Sequence, residues 1–196
     1  MRDVNAWLFV TLDGVVEAPE NWVIGDDEMF AATEADYATS DALLLGRRTY
    51  ETFAASWPQR SSEVPNADWM NNTPKYVAST TLKSLDWQNS SLIEGDVAEG
   101  VSRLKEAEGK DIMVIGSACL VRSLLRADLL DELRLFVHPV VAGSGRRLFE
   151  DGDDHFDLAL TDTTTYDNGV VSLTYKPVSA GAGDEDSSVQ PAMATA

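Results

Sequence analysis

Two short turns hold the residues best suited to chemistry. Gly46-Arg47-Arg48-Thr49 follows the apolar run Asp41-Ala42-Leu43-Leu44-Leu45, and Gly116-Ser117-Ala118-Cys119 follows Ile112-Met113-Val114-Ile115. A glycine at a strand-to-helix turn leaves backbone N–H groups free, and two guanidinium forks beside them offer an anion several donors. A nucleotide phosphate suits such a turn best, since so acidic a chain would otherwise repel phosphates. If the two strands are neighbours, the turns together hold the two ends of a pyrophosphate. Neither turn is a Gly-x-Gly-x-x-Gly fingerprint or a lysine-containing phosphate loop, and each is equally consistent with a tight turn whose arginines face solvent. The two arginines need not act alike, since one can meet a ligand while its neighbour pairs with surface acid.

Other residues admit two uses each. Asp13, in an Asp-Gly step after the first strand, can orient a polar ring or pass a proton, or simply form a turn. Asp27, between Asp26 and Glu28, belongs to an acidic first helical turn or to a pocket. The loop carrying Gly145, Arg146 and Phe149 can close over a substrate, with an arginine on a phosphate, or be a flexible connection whose arginines offset Glu150 and Asp151. His138, in an apolar strand before Pro139, is expected to be packed, and His155 to be a solvated loop residue. The one cysteine, Cys119, excludes a disulfide within the chain and a cysteine-cluster metal site. It is expected to be buried as a small apolar residue, although a helix start would lower its thiol pKa. With two separated histidines, no metal site is expected. Trp57, Trp69 and Trp87 can cover a flat ligand or pack in a core.

The elements that position these residues follow from the apolar pattern. Ala6-Trp7-Leu8-Phe9-Val10, Ala42-Leu43-Leu44-Leu45, Tyr76-Val77-Ala78, Ile112-Met113-Val114-Ile115 and Leu135-Phe136-Val137 are almost continuously apolar, as strands covered on both faces are. Val97, Val101 and Leu104 recur at helical spacing, and Leu120, Val121, Leu124 and Leu125 form one apolar stripe. Strands alternating with helices predict a three-layer α/β fold with a mostly parallel central sheet and helices on both faces. Residues 158–166 and 170–175, joined by Asp167-Asn168-Gly169, predict a closing antiparallel hairpin. One domain over residues 1–177 accounts for this pattern, and residues 178–196, without periodicity, are expected to be a disordered acidic tail.

The chain carries 33 acidic and 15 basic residues, a formal net charge of -18, and only Asp184, Glu185 and Asp186 of that acid lie after Pro177. This excludes a basic footprint for nucleic acid or an anionic membrane. An acid-rich, lysine-poor composition is typical of proteins that stay soluble in concentrated salt, and a halophile's cytoplasmic protein is the expectation. Folding stability should then rise from low to molar KCl in denaturant titrations; indifference to salt removes this reading. No signal-peptide pattern or membrane-length apolar run is present.

A wider set of motifs recurs in order: Thr11-Leu12-Asp13-Gly14, Leu45-Gly46-Arg47-Arg48-Thr49-Tyr50-Glu51, Pro74-Lys75-Tyr76-Val77-Ala78-Ser79, Ile115-Gly116-Ser117, and Asp131-Glu132-Leu133 continuing to residues 139–149. Together they resemble the dihydrofolate reductase fold, and more closely the reductase family that includes the C-terminal domain of bacterial riboflavin-biosynthesis deaminase-reductases. The resemblance spans about Val4 to Pro177. It implies NADPH as hydride donor, with Gly46 to Thr49 receiving phosphates and Arg47 or Arg48 at the adenosine 2′-phosphate. It also implies Ser79 and Thr80 near the adenosine, and Gly116, Ser117 and Ala118 at the pyrophosphate and nicotinamide. The implied substrate is a small heterocycle: a phosphoribosylamino-pyrimidine, or alternatively a dihydropterin if Asp27 matches the pterin-binding acid of folate reductases. The deaminase's zinc signature is missing. The resemblance also implies a homodimer, and one side of the strand at 133–141 is apolar enough to meet a partner but equally suited to the core; a non-catalytic nucleotide-binding scaffold is the reading from another class.

Overall fold

Leu43, Leu44 and Leu45 are each fully buried, because helices cover both faces of their strand, and each contributes about 1.5–3 kcal/mol by leaving water. The computed structural model describes residues 1–25 and 27–178. One eight-stranded sheet is formed by β1 (Val4–Thr11), β2 (Ser40–Gly46), β3 (Lys75–Ala78), β4 (Ser90–Leu92), β5 (Asp111–Ile115), β6 (Glu132–His138), β7 (Leu158–Thr165) and β8 (Val171–Pro177), in the order β4-β3-β2-β5-β1-β6-β8-β7. The pairings from β4 to β6 are parallel, and β8 and β7 close the sheet as an antiparallel pair. The expected α/β architecture and terminal hairpin are therefore present. Tyr166 and Val170 bracket the turn, and Gly169 supplies its left-handed φ of 83°.

Helices α1 (Asp27–Thr39), α2 (Arg47–Ser56) and α3 (Ala67–Asn72) cover one face with Met29, Tyr37, Tyr50 and Met70. Helices α4 (Val97–Glu106) and α5 (Ala118–Arg126) cover the other with Val101, Leu120, Val121 and Leu124. The three tryptophans belong to the first layer: Trp69 meets Tyr37 edge-on at 4.8 Å, Trp57 meets Phe53 at 6.2 Å, and Trp87 is buried beneath Tyr50. They are packing residues, away from the strand ends that carry α2 and α5. Val178 donates its N–H to Asp157 O at 2.9 Å and so continues the sheet; residues 179–196 of the expected tail lie outside the described residues.

Lys75, at the start of β3, is 1% exposed and has no carboxylate partner among the described residues. Its ammonium donates to Thr73 O (2.7 Å) and Asn71 O (3.1 Å) and lies 4.4 Å from the Trp87 ring centre. Burial lowers its pKa from 10.5 to about 8. The unfolded chain thus holds one more proton between these values, so stability rises with pH in that window and the penalty is fully present below it. Compared with Lys75→Met, the wild type should gain about 1 kcal/mol per pH unit between about pH 8.5 and 10 in denaturant melts. Parallel profiles for the two proteins would refute the assignment. Arg2, Lys75, Lys105 and Arg122 are all buried, four of the 15 basic residues, so the solvent-facing surface is more acidic than the net charge alone implies.

Candidate functional site

Because β2 and β5 are neighbours, the two glycine turns meet at one end of the sheet. Helix α2 starts directly at Arg47, and α5 starts at Ala118 after Gly116 (φ 62°) and Ser117 (φ 63°), both left-handed. The turns are bonded to each other: Gly46 N–H donates to Ser117 Oγ at 2.9 Å, and Ser117 Oγ donates to Thr49 Oγ1 at 2.7 Å. Gly46 has ordinary extended backbone, and its missing side chain matters for space, since a Cβ there would stand 3.1 Å from Ser117 Oγ and 3.2 Å from its Cβ.

Both helix N-termini are open to an anion. Neither has a side-chain cap or an acidic residue in its first turn, whereas α4 is capped by Asp96 and carries Glu99. In a chain with 33 acids, two neighbouring first turns without one leave about half a positive charge apiece unopposed. Arg47 pairs with Glu51 on its own helix at 3.1 Å, an exposed contact worth only about 0.3–0.5 kcal/mol. Arg48 is exposed and has no side-chain partner among the described residues. Ala78 pairs with Gly46 across β3 and β2, which brings Ser79 and Thr80 to the same edge. Ser79 Oγ accepts from Thr81 N and Leu82 N and fixes that turn, while Thr80 is exposed.

Asp13 has a different geometry from that of a proton carrier. Its carboxylate accepts from Thr11 Oγ1 (2.6 Å), Ala142 N (3.0 Å) and Gly143 N (2.8 Å), tying the end of β1 to the loop after β6. The Thr11 hydroxyl and these two amides hold its pKa down at about 2, so it is anionic at neutral pH with its lone pairs engaged. Its stabilising effect is present above the ordinary value of 3.8 and is lost as pH falls toward 2. In Asp13→Ala, the Ala142 and Gly143 amides should exchange with deuterium at least about tenfold faster. Unchanged exchange would show that the carboxylate does not hold the loop.

The loop at 143–149 is a bonded ladder and not a loose connection. Val16 N–H donates to Arg146 O and Leu148 N–H to Gly14 O, both at 2.9 Å, around a bridge between Val15 and Arg147. Gly145 is required where the strands cross: its φ is 122°, and a Cβ would lie 2.8 Å from Val15 Cγ1. Arg146 is bound to Glu17 at 2.7 Å, not to Glu150 or Asp151. The guanidinium left without a partner among the described residues of this loop is that of Arg147, exposed beside Gly14. Phe149 turns to Phe156, in the layer with α4 and α5, at 6.4 Å between rings. Asp27 is exposed in the first turn of α1.

His138 is fully buried at the end of β6, edge-on to Phe9 and Trp22. Its Nδ1 accepts from Ile24 N–H at 3.2 Å and burial lowers its pKa, so the ring is neutral and holds the segment before α1. His155 is an exposed loop residue beside Asp157. Cys119 departs from expectation and is exposed: Ala118, Leu120 and Val121 turn the apolar stripe of α5 to the sheet, leaving Cys119 outside with Arg122 Nη2 3.5 Å from its sulfur. Arg122 itself, with no distinguishing local signal in the sequence, is buried and donates to Leu148 O at 2.7 Å, holding the 146–154 segment to α5. No group of three or more His, Cys, Asp or Glu residues that could hold a metal ion occurs among the described residues, and no helix there is long and apolar enough to cross a membrane.

A mostly parallel sheet with helices on both faces and a closing hairpin define a dihydrofolate-reductase-like α/β fold, with two uncapped helix N-termini at adjacent strands. The chain belongs to the RibD C-terminal domain family, whose model matches residues 2–172. Two relatives in Bacillus subtilis (strain 168) are uncharacterised proteins: YyaP, 34% identical over 177 residues with 86% of this chain and 91% of that one covered, and YwjB, 28% identical over 173 residues with 86% and 95% covered. Among solved structures the fold is similar to a putative riboflavin biosynthesis protein from Shewanella sp. PV-4, with a TM-score of 0.73, 19% identity, and 91% and 99% of the two chains covered. The Saccharomyces riboflavin biosynthesis reductase Rib7 gives a TM-score of 0.59 at 15% identity, with 90% of each chain covered.

Proposed function

We propose that this chain is an NADPH-dependent reductase acting on a phosphoribosylamino-pyrimidine of the kind used in riboflavin biosynthesis. The observation that carries the reading is the bonded junction of two uncapped helix N-termini, Gly46 N–H to Ser117 Oγ to Thr49 Oγ1, with Arg48 in the same turn exposed and without a side-chain partner among the described residues. Backbone amides at 47–49 and 117–119 would hold a pyrophosphate, and small residues at 46 and 116–118 leave room for close approach. Arg48, with Arg47 once Glu51 releases it, would meet the 2′-phosphate. When bound, the cofactor supplies the hydride. Asp13 stays anionic and fixes the loop that borders the substrate side, and Arg147 offers the guanidinium for a substrate phosphate. The folate-type alternative loses support from the exposed position of Asp27.

The test is a titration of the folded protein with NADPH in molar KCl, followed by tryptophan fluorescence. Addition of 5-amino-6-(5-phosphoribosylamino)uracil or dihydrofolate, with cofactor absorbance as readout, comes next. Turnover with the first compound alone is expected, and failure of folded protein to bind NADPH would refute the reading.

A further inference from the structure

Residues 18–25 lie against the end of β6 with few bonds to the body of the protein. After Val16 N–H donates to Arg146 O, the backbone bonds of the residues that follow are local, from Asn21 N to Ala18 O and from Trp22 N and Val23 N to Pro19 O. Ala18 is left-handed, at φ 49°, a conformation that a residue with a Cβ disfavours. The segment returns to the body at Ile24. Its N–H donates to His138 Nδ1 at 3.2 Å and its carbonyl accepts from Asn168 Nδ2 at 3.3 Å, while the Trp22 ring stands edge-on to His138 at 5.5 Å. Only these contacts must break for the segment to lift, so it can open while the sheet stays folded.

His138 is fully buried, with the Phe9 ring of β1 5.3 Å away. Because Nδ1 accepts, the neutral ring carries its hydrogen on Nε2, which is buried and has no partner among the described residues. A proton added to this ring goes to Nδ1, its one available lone pair, and sets a donor against the Ile24 donor. No carboxylate stands ready for the resulting cation. Asp13, after β1, is engaged by Thr11 Oγ1 and two amides, and Glu17 by Arg146. Glu20 on the segment, Asp27 and Glu28 on α1 and Asp167 in the hairpin turn are exposed; Arg134 of β6 is paired with Asp36, and the buried Tyr166 is neutral, its pKa raised by burial. Burial alone shifts His138, downward from 6.5, so none of these charges offsets it.

We propose that His138 is a proton-operated latch: the neutral ring holds residues 18–25 against the strand ends, and the charged ring releases them. Opening moves the ring from an apolar cluster into water, so the open state binds the proton more tightly than the closed one. Above the ordinary value of 6.5 the ring is neutral in both states and the latch has its full strength. As pH falls below 6.5 the open state takes up its proton first, and the balance shifts toward it by up to about tenfold per unit. Release uncovers Phe9 and His138 beside Thr11, where β1 meets the end of β6. The bearing of this on ligand entry rests on the reductase reading; the latch itself does not.

Amide hydrogen exchange of the full chain in molar KCl, corrected for the intrinsic rate at each pH, reads the latch directly. Protection over residues 18–25 should fall about tenfold between about pH 7.5 and about pH 5.5, with that of β5 unchanged. His138→Asn offers an amide oxygen that can accept from Ile24 N–H and cannot titrate, so it should give the same protection at both pH values. His138→Leu has no acceptor and should be poorly protected at both. If His138→Asn fails to fold by far-UV circular dichroism, His138→Gln takes its place. Wild-type protection indifferent to pH, a fall of equal size in His138→Asn, or a loss shared with β5 overturns the proposal. The measurement uses no ligand, so a failure to bind NADPH would refute the reductase reading and leave the latch standing.

Discussion

Replacing Arg47 and Arg48 together with alanine should weaken NADPH binding about 100-fold and NADH binding less than about threefold. A charge-assisted arginine–phosphate contact is worth about 1.5–3 kcal/mol, and each 1.4 kcal/mol is a factor of ten in affinity. The two cofactors differ only in the 2′-phosphate, so a guanidinium that meets it separates them, whereas the backbone amides of α2 and α5 serve both. The single variants should not be equal. Arg48 has no partner to leave among the described residues, while Arg47 must first give up Glu51, so Arg48→Ala should account for the larger share. Isothermal titration with both cofactors decides the matter: equal losses for NADPH and NADH would remove the arginines from the 2′-phosphate.

Arg122→Met should cost about 3 kcal/mol of stability, a fall of about 6–12 °C in melting temperature for a domain of this size. The side chain is only 8% exposed yet has ion-pair contacts with Asp153 (3.3 Å) and Glu150 (3.6 Å) and donates to the carbonyls of Leu148 (2.7 Å) and Arg147 (3.3 Å). Methionine fills the stem's volume and leaves these acceptors without their donor. Arg126 also reaches Asp153, at 2.9 Å, and keeps that carboxylate from being stranded, which places the cost at the low end for a broken buried pair. Arg122→Lys retains the charge but not the planar fork and should fall between wild type and methionine. A methionine variant that melts with the wild type would show that the 146–154 segment is held by other contacts.

Much of the fold was legible because it is local. Unbroken apolar runs such as Leu43-Leu44-Leu45 mark strands covered on both faces, and Asp167-Asn168-Gly169 marks a hairpin whatever surrounds it. Helix α1 was harder to read, since only Met29, Thr33 and Tyr37 of its 13 residues are buried, a stripe too narrow for a strong helical period. Strand β4 is three residues long and carries little pattern of its own.

The candidate site divides along the same line. The sequence determined by itself that two glycine turns follow buried strands and open helices, and the i,i+4 spacing of Arg47 and Glu51 already allowed one arginine to be tied. That the turns meet, and that Ser117 joins Gly46 to Thr49, depended on β2 and β5 becoming neighbours across 71 residues of chain. Asp13 resembled a turn residue or an acid until its amide partners, 129 and 130 residues away, made it the anchor of a loop. Cys119 looked fit for burial until α5 docked with Leu120 and Val121 inward. Periodicity fixes the kind of element, because it reflects backbone geometry repeated over neighbouring residues. The role of a side chain depends on what distant segments bring to it, and only the folded chain supplies that.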